Sequence, residues 1–237
     1  MHYVEGFVLA VPEANKEIYR EHAVDAFELV RDFGVERMVE TWGDDVPDGK
    51  LTDFRRAVKA EPGETVVFSW FEYPSKEARD AANERMMADP RMEEMAKTMP
   101  FDGKRMIYGG FASIMDERTE GAMGYVDGIL VPVPRANREA YLDMARTAAA
   151  MFHENGATRV TENWGDDLPE GKVTDYRGAV RATEDEVVVF SWVEWPSKAV
   201  RDMGWAKIMA SEGMPANEMP FDGKRMVYGG FAPLLDL

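Results

Sequence analysis

Two glutamates, Glu40 and Glu162, stand at equivalent places in the similar segments RMVETWGDD and RVTENWGDD. Each alternates with apolar residues along a run that is typical of a β-strand, which predicts a carboxyl on an apolar strand face. Such surroundings disfavour the charged form of a carboxyl, so that it can act as an acid or a base near neutral pH. We therefore predict both glutamates as catalytic residues. The alternative is a buried ion pair with Arg55, Lys104 or Arg105, or with their counterparts in the second half.

A ligand beside these glutamates needs apolar walls, a cation and a hydrogen-bonding phenol, which are usual contents of a small-molecule pocket. Three pairs of side chains recur at matching places in the two halves and supply those groups. The predicted ligand-binding residues are Trp42 and Trp164, Arg55 and Arg177, and Tyr108 and Tyr228. The alternative for the aromatic residues is a packed core with satisfied hydroxyls, and the six tryptophans and 17 methionines fit either arrangement.

An acidic loop rich in glycine and proline, WGDDxPxG, follows each glutamate. Its carboxylates and those just beyond it offer the oxygen ligands that Mg²⁺ or Ca²⁺ prefers. They are Asp44, Asp45 and Asp53 in the first half and Asp166, Asp167 and Asp175 in the second. The spacing differs from that of an EF-hand loop, and aspartate beside glycine and proline is also typical of turns. We therefore interpret the loop as a turn and predict no metal site.

Cysteine and histidine usage narrows the chemistry further. The chain has no cysteine, which excludes disulfides, thiolate nucleophiles and zinc–thiolate sites. Its three histidines are His2, His22 and His153, and the last two are replaced in the other half by Met144 and Arg31. A site present in both halves therefore has no histidine. We interpret His153 as a surface residue rather than a haem ligand, and we predict no organic cofactor.

The two halves are copies of one another. The segment MPFDGKRMIYGGF at 99–111 returns as MPFDGKRMVYGGF at 219–231. Likewise YVEGFVLAVP at 3–12 returns as YVDGILVPVP at 125–134. A tandem duplication of one unit explains both pairs.

The spacing between the copies sets the expected boundaries. The first motifs lie 122 residues apart but the last only 120, which places a two-residue deletion between Asp202 and Pro220. We predict a first repeat over residues 1–115, a linker over 116–123 and a second repeat over 124–237. Each repeat is long enough to bury a core of its own.

Each repeat shows the periodicities of strand, helix, strand, strand, helix and strand. A further short strand is expected over residues 54–59. This order is that of the split βαβ unit, the ferredoxin-like arrangement, in which helices cover one face of the sheet. Because the strands are apolar on both faces, the second face also needs a partner. We predict an α+β fold in which two βαββαβ repeats pair their sheets as a barrel, with the helices outside.

The charge of the chain limits its partners. Lys and Arg number 28 against 44 Asp and Glu, a net charge of −16. Such a field repels nucleic-acid phosphates and anionic lipid, so we predict no nucleic-acid partner and no membrane partner. The first residues lack the basic region of a signal peptide, and no apolar run approaches membrane-spanning length. We expect a soluble, cytoplasmic protein.

Four motifs together resemble the family known as domain of unknown function 1428. They are YVDGxxxPVP, WGDDxPxGKxTDF, VVFSW and MPFDGKRMxYGGF, and they extend over both halves. The resemblance implies the dimeric α/β-barrel superfamily, with this chain as a fused pseudo-dimer of a unit that normally pairs with a second copy. It implies no activity, because the function of that family is not established. The wider superfamily includes cofactor-free monooxygenases, lactone isomerases, haem-degrading enzymes and haem peroxidases.

Two hypotheses for the function follow, and the sequence does not decide whether the protein is an enzyme. In the first, it binds or transforms a small apolar or aromatic molecule without an organic cofactor, as an oxygenase or isomerase does. In the second, it is a non-catalytic structural or protein-interaction module with a solid barrel core. The two repeats pair with each other in both, and further homodimerisation is open. A cavity of about 300 Å³ at the glutamates favours the first, and a filled barrel with both glutamates in salt bridges favours the second.

Overall fold

Eight antiparallel strands, four from each half of the chain, close into a single barrel, and the long helices pack on its outside. The computed structural model of the protein describes residues 2–210 and 219–237. It confirms the predicted α+β fold of two ferredoxin-like repeats joined in an intramolecular dimeric α/β-barrel. The part of the predicted deletion that falls on residues 211–218 lies outside the described residues.

Both repeats contain the same strands in the same order. The first repeat consists of β1 (Tyr3–Pro12), α1 (Lys16–Arg31), β2 (Arg37–Asp45), α2 (Phe54–Ala57), β3 (Glu64–Tyr73), α3 (Lys76–Ala88), α4 (Pro90–Lys97) and β4 (Ile107–Arg118). The second consists of β5 (Tyr125–Pro134), α5 (Arg138–Glu154), β6 (Arg159–Asp167), α6 (Tyr176–Ala179), β7 (Glu186–Trp195), α7 (Lys198–Ala210) and β8 (Val227–Asp236). Strand β4 thus continues over the first three residues of the predicted linker.

The extra strand predicted over residues 54–59 is wrong, since this segment forms the one-turn helix α2. The cause is local, because Asp53 accepts a hydrogen bond from the Arg56 N–H and so caps the turn. Ser75 caps α3 in the same way through the Ala78 N–H. The long helices α1 and α5 are followed by Gly34 and Gly156, both at positive φ, where glycine is favoured. Among the described residues, no helix is long and apolar enough to cross a membrane.

The sheets of the two repeats join edge to edge. Within each repeat the strand order is β2-β3-β1-β4 or β6-β7-β5-β8, and the edges meet where β2 pairs with β8 and β4 pairs with β6. Both junctions contain register shifts, one of them between Glu40 and Thr41. The closed barrel therefore leaves no strand edge unpaired, because both edge strands of each repeat pair with edge strands of the other repeat.

Aromatic side chains from both repeats fill the barrel. Phe68 and Phe190 stack face to face with ring centroids 4.4 Å apart, and Trp70 and Trp192 stack at 4.3 Å. All four are buried in one apolar cluster to which every strand of the barrel contributes except β6. The interior is a packed core, which agrees with the solid barrel of the second hypothesis.

Two glycines allow this stacking. A Cβ at Gly6 would lie 2.8 Å from the ring of Phe190, and a Cβ at Gly128 would lie 2.9 Å from the ring of Phe68. Each glycine thus accommodates an aromatic ring from the other repeat. Since the paired phenylalanines also contact each other, a methyl group at either position has to displace both rings.

We expect Gly6→Ala to lower the free energy of unfolding by about 1–3 kcal/mol, the usual cost of overpacking a dense core. Urea denaturation measures this change. Gly178→Ala is the control, because the equivalent position in the first repeat already carries a side chain, that of Arg56, and alanine favours a helix. Equal stability of the Gly6→Ala protein and the wild type would show that the interior is loose.

An ion network closes one end of the barrel beside the stacked tryptophans. Arg159 binds Glu72 through two contacts of 2.7 and 2.9 Å and Asp116 through contacts of 2.7 and 3.0 Å. Arg37 lies 3.0 Å from both Glu72 and Glu194. The two stacked indoles each donate an N–H to one of these glutamates. Every buried charge at this end of the barrel therefore has a partner.

Candidate functional site

Glu40 lies on the helix-facing side of β2, in the layer between the sheet and α1. The hydroxyl of Tyr19, on α1, donates to its carboxyl at 2.6 Å, and Ser69, on the adjacent strand β3, also forms a hydrogen bond with it. Apolar side chains, among them Leu9 and Val67, surround this group. We call the set Tyr19, Glu40 and Ser69 the first Glu–Tyr–Ser cluster.

The second repeat reproduces the cluster with Tyr141, Glu162 and Ser191. Tyr141 donates to the Glu162 carboxyl at 2.6 Å, and the Ser191 hydroxyl donates to the same oxygen. We call this set the second Glu–Tyr–Ser cluster. Both repeats therefore contain the same arrangement of tyrosine, glutamate and serine, as expected for a duplicated unit.

Strand pairing and helix spacing place these groups. Glu40 is the direct cross-strand partner of Ser69, and Glu162 is that of Ser191, so that each pair shares one face of the sheet. The tyrosine comes from the inner face of the helix after the first strand of its repeat, where it is buried. The register of three neighbouring elements, rather than one local segment, therefore builds each cluster.

Burial makes the two carboxyls weaker acids than an ordinary glutamate. Removal from water raises the pKa of Glu40 to about 7, although hydrogen bonds from Tyr19 and Ser69 partly oppose the rise. The same causes raise the pKa of Glu162 to about 7. Burial also raises the pKa of Tyr19 and Tyr141 well above the ordinary value, so that both stay neutral hydrogen-bond donors. Each cluster can therefore gain or lose one proton near neutral pH.

The alternative of a buried ion pair for these glutamates is wrong. Arg105 instead binds Glu64, at 2.7 Å, and Arg225 binds Glu186, at 2.6 Å. Within residues 2–210 and 219–237, neither Glu40 nor Glu162 has a cation within ion-pair distance. Neutral hydrogen-bond donors take the place that the sequence interpretation gave to arginine or lysine.

Trp42 and Trp164 lie two residues beyond the glutamates on the same strand faces. The Trp42 ring is 6.4 Å from that of Tyr19, and the Lys16 ammonium lies 5.3 Å from its centre. Arg138 lies 5.7 Å from the centre of Trp164 in the second repeat. The structure therefore brings the predicted tryptophans to the clusters, with a helix cation on the outer side of each indole.

The other predicted ligand-binding residues lie elsewhere. Arg55 and Arg177 are on the short helices α2 and α6. Arg177 donates to the carbonyls of Thr183, in the turn before β7, and of Glu186, the first residue of β7. Tyr108 and Tyr228 are half-exposed. Tyr108 on β4 and Glu40 on β2 are connected through successive cross-strand partners. Three strand spacings separate them, which is roughly 14 Å. These four residues do not touch the glutamates.

The two clusters differ in access. Glu40 is only 6% exposed, whereas Glu162 is partly exposed. A cavity of about 190 Å³ lies beside Tyr108 and the second acidic loop, and a cavity of about 270 Å³ lies between α2 and α6. Neither reaches Glu40 or Glu162. Solvent therefore approaches the second cluster more readily than the first.

The acidic loops bind the opposite repeat. Each contributes one aspartate to a tyrosine hydroxyl and the next to a buried or half-buried arginine. The pairs are Tyr125–Asp44 at 2.8 Å and Arg201–Asp45 at 2.7 Å, then Tyr3–Asp166 at 3.0 Å and Arg79–Asp167 at 2.7 Å. Asp53 and Asp175 instead cap α2 and α6. In the described part of the chain, no group of three or more acidic or histidine side chains is arranged to hold a metal ion.

His153, interpreted as a surface residue, lies at the end of α5 and is partly buried, and its ring forms a hydrogen bond with the Ala157 carbonyl. The residues that sequence reasoning missed are the two tyrosines and two serines of the clusters. The helical spacing of Tyr19 marks it as a core residue of its helix and does not connect it with Glu40. The signal that could have found Ser69 is a polar residue repeated inside the otherwise apolar run VVFSW. No local signal connects it with the tyrosine.

Comparison with known sequences finds one family in both halves. The family model described as protein of unknown function (DUF1428) matches residues 2–103 and again residues 124–223. The uncharacterized protein YbaA of Escherichia coli strain K12 is 67% identical over 117 residues, which are 49% of this chain and 100% of YbaA. YbaA of Shigella flexneri matches to the same extent. One copy of the unit therefore makes up the whole of these relatives.

Comparison with solved structures concerns the fold. A provisionally named monooxygenase of Fusobacterium nucleatum has a TM-score of 0.56 at 11% identity, over 99% of this chain and 93% of the other. An anthrone oxidase-like protein has a TM-score of 0.54 at 11% identity, over 100% of this chain and 92% of the other. At this identity the similarity shows a shared barrel architecture, and the chemistry depends on the site.

Proposed function

This chain belongs to the family described as protein of unknown function (DUF1428), and from that premise we propose that its Glu–Tyr–Ser clusters transfer protons to and from a small apolar or aromatic molecule. The clusters act within two repeats, residues 1–115 and 124–237, joined by 116–123. We extend the proposal to a cytoplasmic protein without a nucleic-acid partner, and the net charge of −16 supports the second point because it repels phosphates.

The observation that supports this proposal most directly is a buried carboxyl whose hydrogen-bond partners, among the described residues, are neutral. Such a group is costly unless it is protonated part of the time, and its pKa of about 7 makes both forms available at physiological pH. A carboxyl required only for packing would be served as well by glutamine. The surrounding indole and aliphatic side chains favour an apolar reactant over a charged one.

In this mechanism the Glu162 carboxylate removes a proton from a C–H group next to a carbonyl and becomes a neutral carboxyl. The electron pair of that bond passes to the substrate, which becomes an enolate. Tyr141 and Ser191 hold the carboxyl in place, and Trp164 forms the aromatic wall. An isomerase returns the proton to another carbon, whereas in an oxygenase dioxygen adds to the carbanion as the co-reactant.

The second cluster is the first place to test because Glu162 is partly exposed. We expect the protein to exchange the acidic methylene hydrogens of anthrone, an apolar aromatic ketone, for deuterium in anaerobic D₂O. In a Glu40→Gln background, where Glu162 is the remaining cluster base, Glu162→Gln should lower this rate at least about a hundredfold, the usual contribution of a general base. The rate should rise with pH through about 7, because the carboxylate is the active form. Proton NMR follows the exchange, and oxygen uptake in air then separates an oxygenase from an isomerase.

Glu139→Gln is the matched control, since it removes one acid from the exposed first turn of α5, the helix that carries Tyr141. A set of further aromatic ketones and phenols extends the test beyond one probe. Exchange that is equal in the Glu40→Gln and Glu40→Gln/Glu162→Gln proteins for every probe would contradict the proposal.

The second candidate is a non-catalytic assembly module. The packed aromatic interior and the four aspartates that hold the opposite repeat favour it. It predicts that Glu40→Gln and Glu162→Gln proteins keep every property of the wild type apart from stability. It also predicts that the single-copy relatives form the barrel by pairing two chains.

A further inference from the structure

The cavity between α2 and α6 lies where equivalent parts of the two repeats meet. It has a volume of about 270 Å³ and is lined by matching positions of both repeats, such as Leu51 with Val173 and Lys59 with Arg181. It is separate from the Glu–Tyr–Ser clusters. Its symmetric lining means that a ligand there would contact both repeats at once.

The charges around this cavity are unusual for so acidic a chain. Three basic side chains line it, those of Arg56, Lys59 and Arg181, against the single acid Asp175. The Asp175 carboxylate is already occupied, because it accepts hydrogen bonds from the N–H groups of Gly178 at 2.6 Å and Gly171 at 3.2 Å. The cavity is therefore a basic site in a protein of net charge −16.

Two of the three cations are not neutralised. Arg56 lies 3.2 Å from Asp53 and donates to the Gly49 carbonyl. Across residues 2–210 and 219–237, Lys59 and Arg181 have no carboxylate within ion-pair distance of their charged groups. Both are solvent-exposed and so remain available to an anion.

The backbone at these two positions gives an independent indication. Lys59 has φ 50° and Arg181 has φ 51°, and in the described chain they are the non-glycine residues at positive φ. Each follows a one-turn helix, at a position where glycine is the favoured residue. Their carbonyls accept hydrogen bonds from Arg105 and Arg225, but glycine would offer the same carbonyl without strain. The fold therefore does not require the side chain of Lys59 or Arg181, which leaves both available for another role.

Two hydroxyls complete the site. Thr52 and Thr174 both line the cavity, and their buried Oγ1 atoms have no hydrogen-bond partner. Thr52 is only 6% exposed, so its hydroxyl is withdrawn from bulk water. A buried hydroxyl without a partner is unfavourable, and rotation of either side chain toward the cavity would let an acceptor oxygen there satisfy it.

We infer that this cavity binds a small oxyanion of the phosphate type, held by Lys59 and Arg181 and hydrogen-bonded by Thr52 and Thr174. The volume exceeds that of a phosphate ion, and Leu51 and Val173 offer apolar surface. The site thus accommodates either the free ion or a phosphate monoester with a small apolar body. It is independent of the proton-transfer clusters, so either assignment can fail alone.

The test is isothermal titration of the full-length protein with sodium phosphate and, separately, with phenyl phosphate, at constant ionic strength. We expect binding of at least one probe, and a loss of about tenfold or more in affinity in the Lys59→Gly/Arg181→Gly protein, because each charged hydrogen bond is worth about that factor. The glycine variants relieve positive φ, so folding should be retained or improved. Tighter binding of phenyl phosphate assigns an organic ester, and tighter binding of phosphate assigns the free ion.

The control is Arg146→Ala/Lys207→Ala, which removes the same charge from the exposed faces of α5 and α7. It should bind both probes as the wild type does. Equal affinity in the wild type and the glycine double variant would overturn the site, as would the absence of binding of either probe to the wild type. A general ionic effect would instead weaken binding equally in both double variants, and this result too would overturn it.

Discussion

Replacing Arg159 with alanine is expected to lower the free energy of unfolding by about 3–5 kcal/mol, the largest effect of any single substitution considered. Arg159 is buried and binds Glu72 through two contacts of 2.7 and 2.9 Å. Burial alone would raise the pKa of Glu72, but hydrogen bonds from Arg159 and the charges of Arg159 and Arg37 reverse this and lower it. Without Arg159, a buried carboxylate loses its main partner at the closed end of the barrel.

Guanidinium denaturation at pH 7 measures this loss. The matched control is Arg118→Ala, because Arg118 also approaches Glu72, at 3.6 Å, but its side chain is 53% exposed. An exposed ion pair is worth about 1 kcal/mol or less. The double variant Arg159→Ala/Glu72→Gln should recover part of the stability, since the stranded charge is gone. Equal losses in the Arg159→Ala and Arg118→Ala proteins would show that the network contributes little.

A rise in pH from 4.5 to 8 should destabilise the wild type relative to Glu40→Gln by about 3 kcal/mol. Burial raises the pKa of Glu40 from its ordinary 4.5 to about 7. Between these values the folded protein keeps a proton that the unfolded chain has released. The contribution of the protonated form is thus fully present below about pH 4.5 and is lost as the pH rises through 7. Glu162 adds a similar change, because burial raises its pKa to about 7 as well.

The measurement is urea denaturation of the wild type, Glu40→Gln and Glu40→Gln/Glu162→Gln proteins at half-unit steps from pH 4.5 to 8. The difference in unfolding free energy between the wild type and each variant reports on Glu40 and Glu162. It removes the contribution of other carboxylates such as Glu186, whose pKa is lowered to about 2 mainly by a hydrogen bond from Arg225. That group acts in the opposite direction, with stability present above its unfolded pKa and lost in acid. A difference between wild type and Glu40→Gln that stays constant with pH would contradict a pKa near 7.

Local sequence patterns determined much of the fold. Alternation of apolar residues every second position marks the strands, and spacing near 3.6 marks the helices, because each pattern depends only on neighbouring residues. The same alternation puts Glu40 on one face of β2 together with Met38 and Trp42, although it does not tell which face meets the helices. The segment that forms α2 was assigned to the wrong class, because it is a single turn that Asp53 caps and four residues are too few for a periodic signal.

Local sequence patterns did not predict the partners of the charged residues. The sequence allowed Arg105 as a partner of Glu40, but in the tertiary structure Arg105 binds Glu64. The acidic loops were interpreted as turns, whereas their paired aspartates bind tyrosine and arginine of the other repeat. Tyr125 and Asp44 are 81 residues apart, and Arg201 and Asp45 are 156 apart. No local spacing encodes contacts of that range.

The sequence by itself therefore established a duplicated ferredoxin-like unit, its apolar strand faces and the glutamates on them. Only the tertiary structure decided that those glutamates meet a tyrosine and a serine, that aromatic rings fill the barrel, and that a basic cavity forms between α2 and α6. The physical reason is closure: the register with which the two sheets join selects which distant side chains meet. Burial after closure then sets the pKa of each carboxyl and leaves Lys59 and Arg181 facing one cavity.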